Sequence, residues 1–146
     1  MKILIAFDNS SASRQALLFS LKFRPVVEEY IVAYVMPQIV GAAPTFDAYV
    51  PATVYERQEQ NAETILDSAR ELVKDSGINL TLVKIDAAGD QVARALYRNA
   101  LERGADLIIT GTRKLTGLSR VLLGSVSSEL IKVSRIPVLV VPPPPE

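Results

Sequence analysis

The residues of this chain best suited to chemistry lie between Gly111 and Ser127, Gly-Thr-Arg-Lys-Leu-Thr-Gly-Leu-Ser-Arg-Val-Leu-Leu-Gly-Ser-Val-Ser. The stretch follows an apolar run, Ala105-Asp-Leu-Ile-Ile-Thr110, and ends in Gly124-Ser125, where the pattern turns helical. Glycine lets a backbone bend sharply and approach a ligand closely. The unpaired N–H groups of a helix's first turn, at the positive end of its dipole, bind anions. Ser125 adds a hydroxyl, and Arg113, Lys114 and Arg120 add positive charge. That combination suits a phosphate. Gly124-Ser125 is equally the form of an ordinary loop end with a serine N-cap, and the stretch alone leaves both open. A second candidate is Asp8, where the first apolar run turns polar. Its carboxylate could accept hydrogen bonds from a ribose, hold a metal such as Mg²⁺ near phosphates, or cap the helix that follows.

Composition removes several other chemistries. The chain has neither cysteine nor histidine, which excludes disulfides, thiol chemistry, Ser-His-Asp hydrolysis and the usual zinc sites. Sixteen basic residues balance sixteen acidic ones, which argues against a general nucleic-acid or membrane-surface binder. No apolar run approaches the ~20 residues needed to span a bilayer. The N-terminus runs straight into Lys2-Ile-Leu-Ile-Ala6 without the build of a signal peptide. A cytoplasmic protein is the expectation.

The elements that must position these residues alternate regularly. Apolar runs at Lys2–Phe7, Tyr30–Met36, Leu80–Ile85, Asp106–Thr110 and Pro137–Val141 read as five strands. Between them lie four helical patterns. The first is capped by Asn9 or Ser10, carries Ala12, Ala16, Phe19 and Phe23 on one face, and is stopped by Pro25. The second, from about Thr53 to Ser76, carries Ala62, Ile65, Leu66, Ala69, Leu72 and Val73 and ends at Gly77. The third is expected to be capped by Asp90, with Val92, Ala93, Leu96 and Ala100 inward and Gly104 closing it. The fourth runs from about Ser125 to Ser134 and buries Val126, Leu130 and Val133.

Such alternation, with strands reading as continuous apolar runs, predicts one α/β domain over residues 1–146. It is a single open parallel five-stranded sheet with helices on both faces. Ligands of such sheets sit at the carboxyl ends of the strands where the strand order reverses. If the first and fourth strands are neighbours, Asp8 and the Gly111–Ser127 stretch face one crevice. The segment from Gln38 to Ala52, rich in proline and apolar residues, is long enough to cover a ligand or to pack on another subunit. The fifth strand is short and uncharged, and four prolines from Pro142 to Pro145 follow it. At a sheet edge, Val138, Leu139, Val140 and Val141 could pair with a second copy, and the prolines would stop that pairing from extending.

The order of these features resembles the universal stress protein family. The resemblance rests on the Asp after the first strand, Gly89-Asp90 before the third helix, Gly111 leading to Gly124-Ser125, and the Ile136-Pro-Val-Leu-Val-Val141 terminus. It covers essentially the whole chain. It implies strand order 3-2-1-4-5 and commonly a homodimer. The nucleotide-binding branch of the family carries Gly, two residues, Gly, nine residues, then Gly-Ser or Gly-Thr. Here Gly111, position 114 and Gly124-Ser125 keep that spacing, with Lys114 in place of the second glycine. A side chain there either obstructs the phosphates, points to solvent, or leaves the backbone N–H in place and adds an ammonium contact to phosphate.

Carried over by position, the resemblance implies that Ala6, Phe7, Asp8 and Val35 line the adenosine end of a nucleotide site, continued by Thr110 and Gly111. Arg113, Lys114, Gly124, Ser125, Val126 and Ser127 would meet the phosphates. The function so implied is regulatory binding of ATP, or of AMP or ADP, with Mg²⁺ entering through the nucleotide at Asp8. Two other readings stand beside it, a slow ATP hydrolase and a nucleotide-free dimeric interaction protein. The chain lacks the Gly-x-x-x-x-Gly-Lys-Ser/Thr loop and the kinase signatures. A flavin site is a further possibility, since flavin-binding sheets share the same crevice.

Overall fold

The structure, a computed structural model, describes residues 1–37, 51–112 and 124–144. Five strands, β1 (Lys2–Ala6), β2 (Glu29–Met36), β3 (Leu80–Asp86), β4 (Leu107–Gly111) and β5 (Val138–Val141), form one sheet in the order β3-β2-β1-β4-β5. Every pairing is parallel. Alternate side chains leave opposite faces of a strand, so each face receives its own core. Ile3, Ile5, Tyr30, Val32 and Ile109 pack with α1 (Ser11–Ser20) and α2 (Ala52–Leu72). Leu4, Ile31, Ala33, Val35 and Ile108 pack with α3 (Val92–Glu102) and α4 (Ser125–Val133).

The helix faces read from the sequence are buried at Ala16 in α1, Ala62, Leu66 and Ala69 in α2, Ala93, Leu96 and Ala100 in α3, and Leu130 in α4, whereas Val92, expected inward, is exposed at the start of α3. Ser10 caps α1, its hydroxyl accepting from the Ser13 N–H at 3.2 Å. Three local details differ from expectation. Pro25 does not stop α1; it sits inside a 3-10 segment, Leu21–Val26, that continues the helix after Ser20. Helix α2 gives way after Leu72 to a turn that reaches Gly77, whose φ of +72° no other residue type adopts as easily. Asp90 is not the cap of α3. That position is Gln91, while the Asp90 carboxylate accepts from the Gln91 N–H and pairs with Arg98. A tight turn displaces it by one residue, with Ala88 and Gly89 both at positive φ and the Asp90 N–H bonded to the Ala87 carbonyl.

The expectations for residues 38–50 and for Arg113, Lys114 and Arg120 lie outside the described residues. Strand β5 takes the edge position, paired with β4 alone. Among the described residues no helix is long and apolar enough to cross a membrane.

Candidate functional site

An open cleft of about 740 Å³ lies at the carboxyl ends of β1, β2 and β4. Its origin is a change of side-chain size within the sheet. On the face covered by α3 and α4, Ile31, Leu4 and Ile108 stand side by side in register and are fully buried. Two residues further along each strand the same face carries Ala33, Ala6 and Thr110. Ala6 pairs with Ala33, and one step beyond Ile5↔Ile109 the same register sets Ala6 level with Thr110. Large side chains fill the space under the helices in the first row. Small ones leave it open in the second, where close packing would otherwise be the rule. Val35, Val92, Leu96 and Val126 wall this hollow.

The β1–α1 connection forms the opposite rim. Asn9 takes a left-handed conformation, φ 65°, which asparagine tolerates better than most residues. The Asp8 carboxylate accepts from the Ser10 N–H at 2.9 Å, and the Asp8 N–H donates to Ser13 Oγ at 3.3 Å. Ser13, almost fully buried, in turn donates through Oγ to the Ser10 carbonyl at 3.0 Å. Asp8 therefore helps to build the turn that positions it, while its side chain stays exposed at the rim. The Ser10 hydroxyl, not Asp8, is the helix cap.

Gly111 and Gly124 flank the cleft for different reasons. A Cβ at Gly111 would lie 2.3 Å from the Ala12 carbonyl oxygen. The glycine thus admits the first turn of α1 against the end of β4, a packing need where the sequence suggested ligand approach. Among the described residues a Cβ at Gly124 would meet only Ser127 Oγ, at 3.8 Å, and its backbone is ordinarily extended at φ −66°. Gly124 is the N-cap of α4 and among the described residues no side chain caps that helix; Ser125, read from sequence as a possible cap, is the first helical residue. The ladder of α4 begins with the Ser128 N–H on the Gly124 carbonyl, 2.9 Å. The N–H groups of Ser125, Val126 and Ser127 precede that bond, and no acidic residue occupies the first turn. Gly124, Ser125 and Val126 line the cleft. Ser127 does not: it is buried and donates to the Gly124 carbonyl at 3.1 Å.

The fold thus brings Ala6, Phe7, Asp8, Val35, Thr110, Gly111, Gly124, Ser125 and Val126 to one cleft. Phe7 reaches it from a buried position, its ring belonging to the core under α1 and α2. Sequence reasoning missed Ala33, Tyr34, Val92 and Leu96 there. The signal was available as the large-to-small step from Ile31 to Ala33, from Leu4 to Ala6 and from Ile108 to Thr110. It becomes a signal only once those strands are known to be neighbours in that register. Tyr34 has its pKa raised, first by burial and then by the Asp8 carboxylate, with an Asn61 hydrogen bond opposing. Among the described residues no group of three or more carboxylates stands together to hold a metal ion. An apolar hollow, an exposed carboxylate and an uncapped helix terminus can together accept a ligand with a flat apolar part, hydroxyl groups and an anionic end.

A family model for the universal stress proteins matches residues 1–142. Universal stress protein YxiE of Bacillus subtilis is 29% identical to the chain, over 96% of this chain and 97% of that one. A crystal structure of a universal stress protein family member from Burkholderia pseudomallei superposes with a TM-score of 0.73 at 26% identity, covering 98% of this chain and 96% of that one. The universal stress protein from Archaeoglobus fulgidus, solved in complex with dAMP, shares the fold with a TM-score of 0.67 at 20% identity, each chain 96% covered. The sheet order, the matched length and these likenesses agree, and the chain belongs to the universal stress protein family.

Proposed function

We propose that this protein is a stress-response regulator that binds an adenine nucleotide, ATP foremost, in the cleft between Asp8 and the N-terminus of α4. The observation that carries the reading is the first turn of α4, which no side chain caps among the described residues and whose Gly124, Ser125 and Val126 line the cleft. Such a terminus stabilises phosphate through free N–H groups and the helix dipole. The apolar hollow over Ala6 and Ala33 suits a base, and the exposed Asp8 carboxylate suits ribose hydroxyls. The dAMP-bound relative of the same fold supports the choice of ligand class.

In this reading Mg²⁺ arrives with the nucleotide, since among the described residues no group of three or more carboxylates stands together to hold a metal ion by itself. Lys114 replaces a motif glycine but keeps its backbone N–H, and its ammonium, with Arg113, adds a charge-assisted contact to phosphate. The protein acts in the cytoplasm as a homodimer, joined through the outer edge of β5 at Val138–Val141. Support for the dimer is the edge position of that strand and the partial exposure of Val138, Leu139 and Val140.

The test is to denature freshly purified protein, identify released small molecules by mass spectrometry, and titrate the stripped protein with ATP–Mg²⁺. Adenine nucleotide in the released fraction, with affinity lowered by Gly124→Val, is the expected result. No nucleotide and no binding would leave the nucleotide-free interaction protein, with Lys114 closing the site. Sustained ATP turnover lost in Asp8→Asn would move the reading to a hydrolase.

A further inference from the structure

The nucleotide reading leaves the four prolines after β5 without a role beyond ending the strand. Proline holds φ at about −65° and has no N–H, so Pro142-Pro143-Pro144-Pro145 cannot continue a ladder and favours the extended polyproline helix. Aromatic surfaces recognise that helix. Such a surface lies at the end of α1 remote from the cleft. The rings of Phe19 and Phe23 stand edge to face with centroids 6.1 Å apart, both residues half-buried. The Lys22 ammonium lies 5.1 Å from the centre of the Phe19 ring.

Within one chain the tail and the aromatic pair are at opposite ends of the sheet, because α1 runs antiparallel to the strands it connects. Ala12 lies against Gly111, whose partner in β5 is Val141. Phe19, two turns after Ala12 on the same side of α1, is about 10 Å further along the helix. About three strand residues cover that distance, so Phe19 is level with Val138. Phe23 lies in the 3-10 segment about two strand residues beyond, level with Ile136. In the two-fold β5 pairing proposed above the strands run antiparallel, with Val138 of each copy opposite Val141 of the other. That register carries Pro142 of the partner subunit to Pro137 and Pro143 of the partner subunit to Ile136, the level of Phe23. Ile136 itself packs into the core under α3 and α4. The connection into β5 thus fills that face, and the α1 face is left for the tail.

We propose that the proline tail of each subunit docks on the Phe19–Phe23 pair of the other, ring against ring, and straps the two-fold interface. This rests on the β5 dimer proposed above and adds to it a contact that no backbone pairing provides. The charges are complementary, since Glu146 follows the prolines and Lys22 is exposed beside Phe23. A polyproline segment is stiff before it docks, so little chain entropy opposes the contact.

The chain has no cysteine, so an engineered disulfide reports the contact without background. Lys22 and Pro144 are both exposed and, within one chain, too far apart to be bridged. Lys22→Cys combined with Pro144→Cys is expected to give a covalent dimer on mild oxidation, and either substitution alone is expected not to. Sedimentation equilibrium then compares wild type, the chain stopped after Val141, and Phe23→Leu, which keeps an apolar side chain in the core. Loss of the tail is expected to raise the dimer dissociation constant about tenfold. Phe23→Leu is expected to raise it too, and the two changes together no further than loss of the tail alone. Thermal unfolding confirms that each variant is folded. Absence of the disulfide, a dimer equally tight without the tail, or effects that add in full overturns the docking while the β5 dimer stands. A monomeric wild type overturns both readings.

Discussion

The α-carbon of Gly111 lies against the Ala12 peptide so closely that a Cβ built on it would stand 2.3 Å from the carbonyl oxygen and 2.5 Å from the carbonyl carbon. That contact holds the first turn of α1 against the end of β4 beside the cleft. Both atoms met are backbone, and neither can move without shifting the helix. Gly111→Ala is therefore expected to destabilise the protein by about 2 kcal/mol or more, as overpacking against rigid neighbours does. Urea unfolding measures it, and a midpoint equal to that of wild type would show that α1 sits less tightly than described.

Gly124 provides the complementary case. Gly124 lines the cleft, and among the described residues a Cβ there meets only Ser127 Oγ, at 3.8 Å. Gly124→Ala is expected to leave the unfolding midpoint unchanged within about 0.5 kcal/mol, or to raise it slightly by restricting the unfolded chain. On the proposed nucleotide reading, ATP affinity should fall in the same variant, because the added methyl group crowds the approach to the α4 terminus. A stable variant with undiminished affinity would remove the α4 terminus from the site.

The turn that displaces Asp90 from the α3 cap holds Ala88 at φ 51°. A residue with a Cβ pays roughly 1–2 kcal/mol in this region relative to glycine, partly offset by the greater freedom of glycine in the unfolded chain. Ala88→Gly is expected to be neutral or stabilising by up to about 1 kcal/mol, and Ala88→Val destabilising. Thermal unfolding of the pair checks the sign.

Loss of the α1 cap should be felt locally and globally. Ser10 Oγ accepts from the Ser13 N–H and also meets Ser13 Oγ, in the turn that carries Asp8. Ser10→Ala is expected to cost about 1 kcal/mol, the usual value for a serine cap. Amide exchange should accelerate first in residues 11–14 of α1.

Alkaline pH should destabilise the fold through three groups. Burial is the main cause of raised pKa values at Tyr30 and Tyr34, above the ordinary 10.0, and at Lys84 the hydrogen bond its ammonium donates to Glu59 is the main cause of a value above 10.5. In each the protonated form is favoured by folding, so the contribution is fully present below the ordinary value and is lost as pH rises through the folded one. Stability is expected to be flat in these groups up to about pH 10 and to fall beyond it. The absorbance of ionised tyrosine gives a sharper test at Tyr34. Asp8→Asn removes the second-largest cause and should move that titration down, while burial keeps it above 10.0. No movement would place Asp8 and Tyr34 further apart than the fold implies.

Much of this protein is legible along the chain. Apolar runs became strands because β1, β2 and β4, inside the sheet and buried on both faces, need apolar residues at nearly every position. Helix faces such as Ala62, Leu66 and Ala69 followed from the helical period, and Ser10 could be recognised as a cap from its place before a periodic segment. These are local properties, set by residues within a turn or two of each other. Position at the carboxyl end of a strand also drew attention to Asp8, Thr110 and Gly111. What the sequence could not supply was the meaning of distances across the chain. The hollow exists because Ala33, Ala6 and Thr110 come level in neighbouring strands, and Gly111 is required by Ala12, nearly a hundred residues earlier in the sequence. Register and packing between remote segments are settled by the whole core at once. Local composition proposed a phosphate loop, and tertiary structure decided that Gly111 is needed for the packing of α1 on β4, while Gly124 lines the cleft.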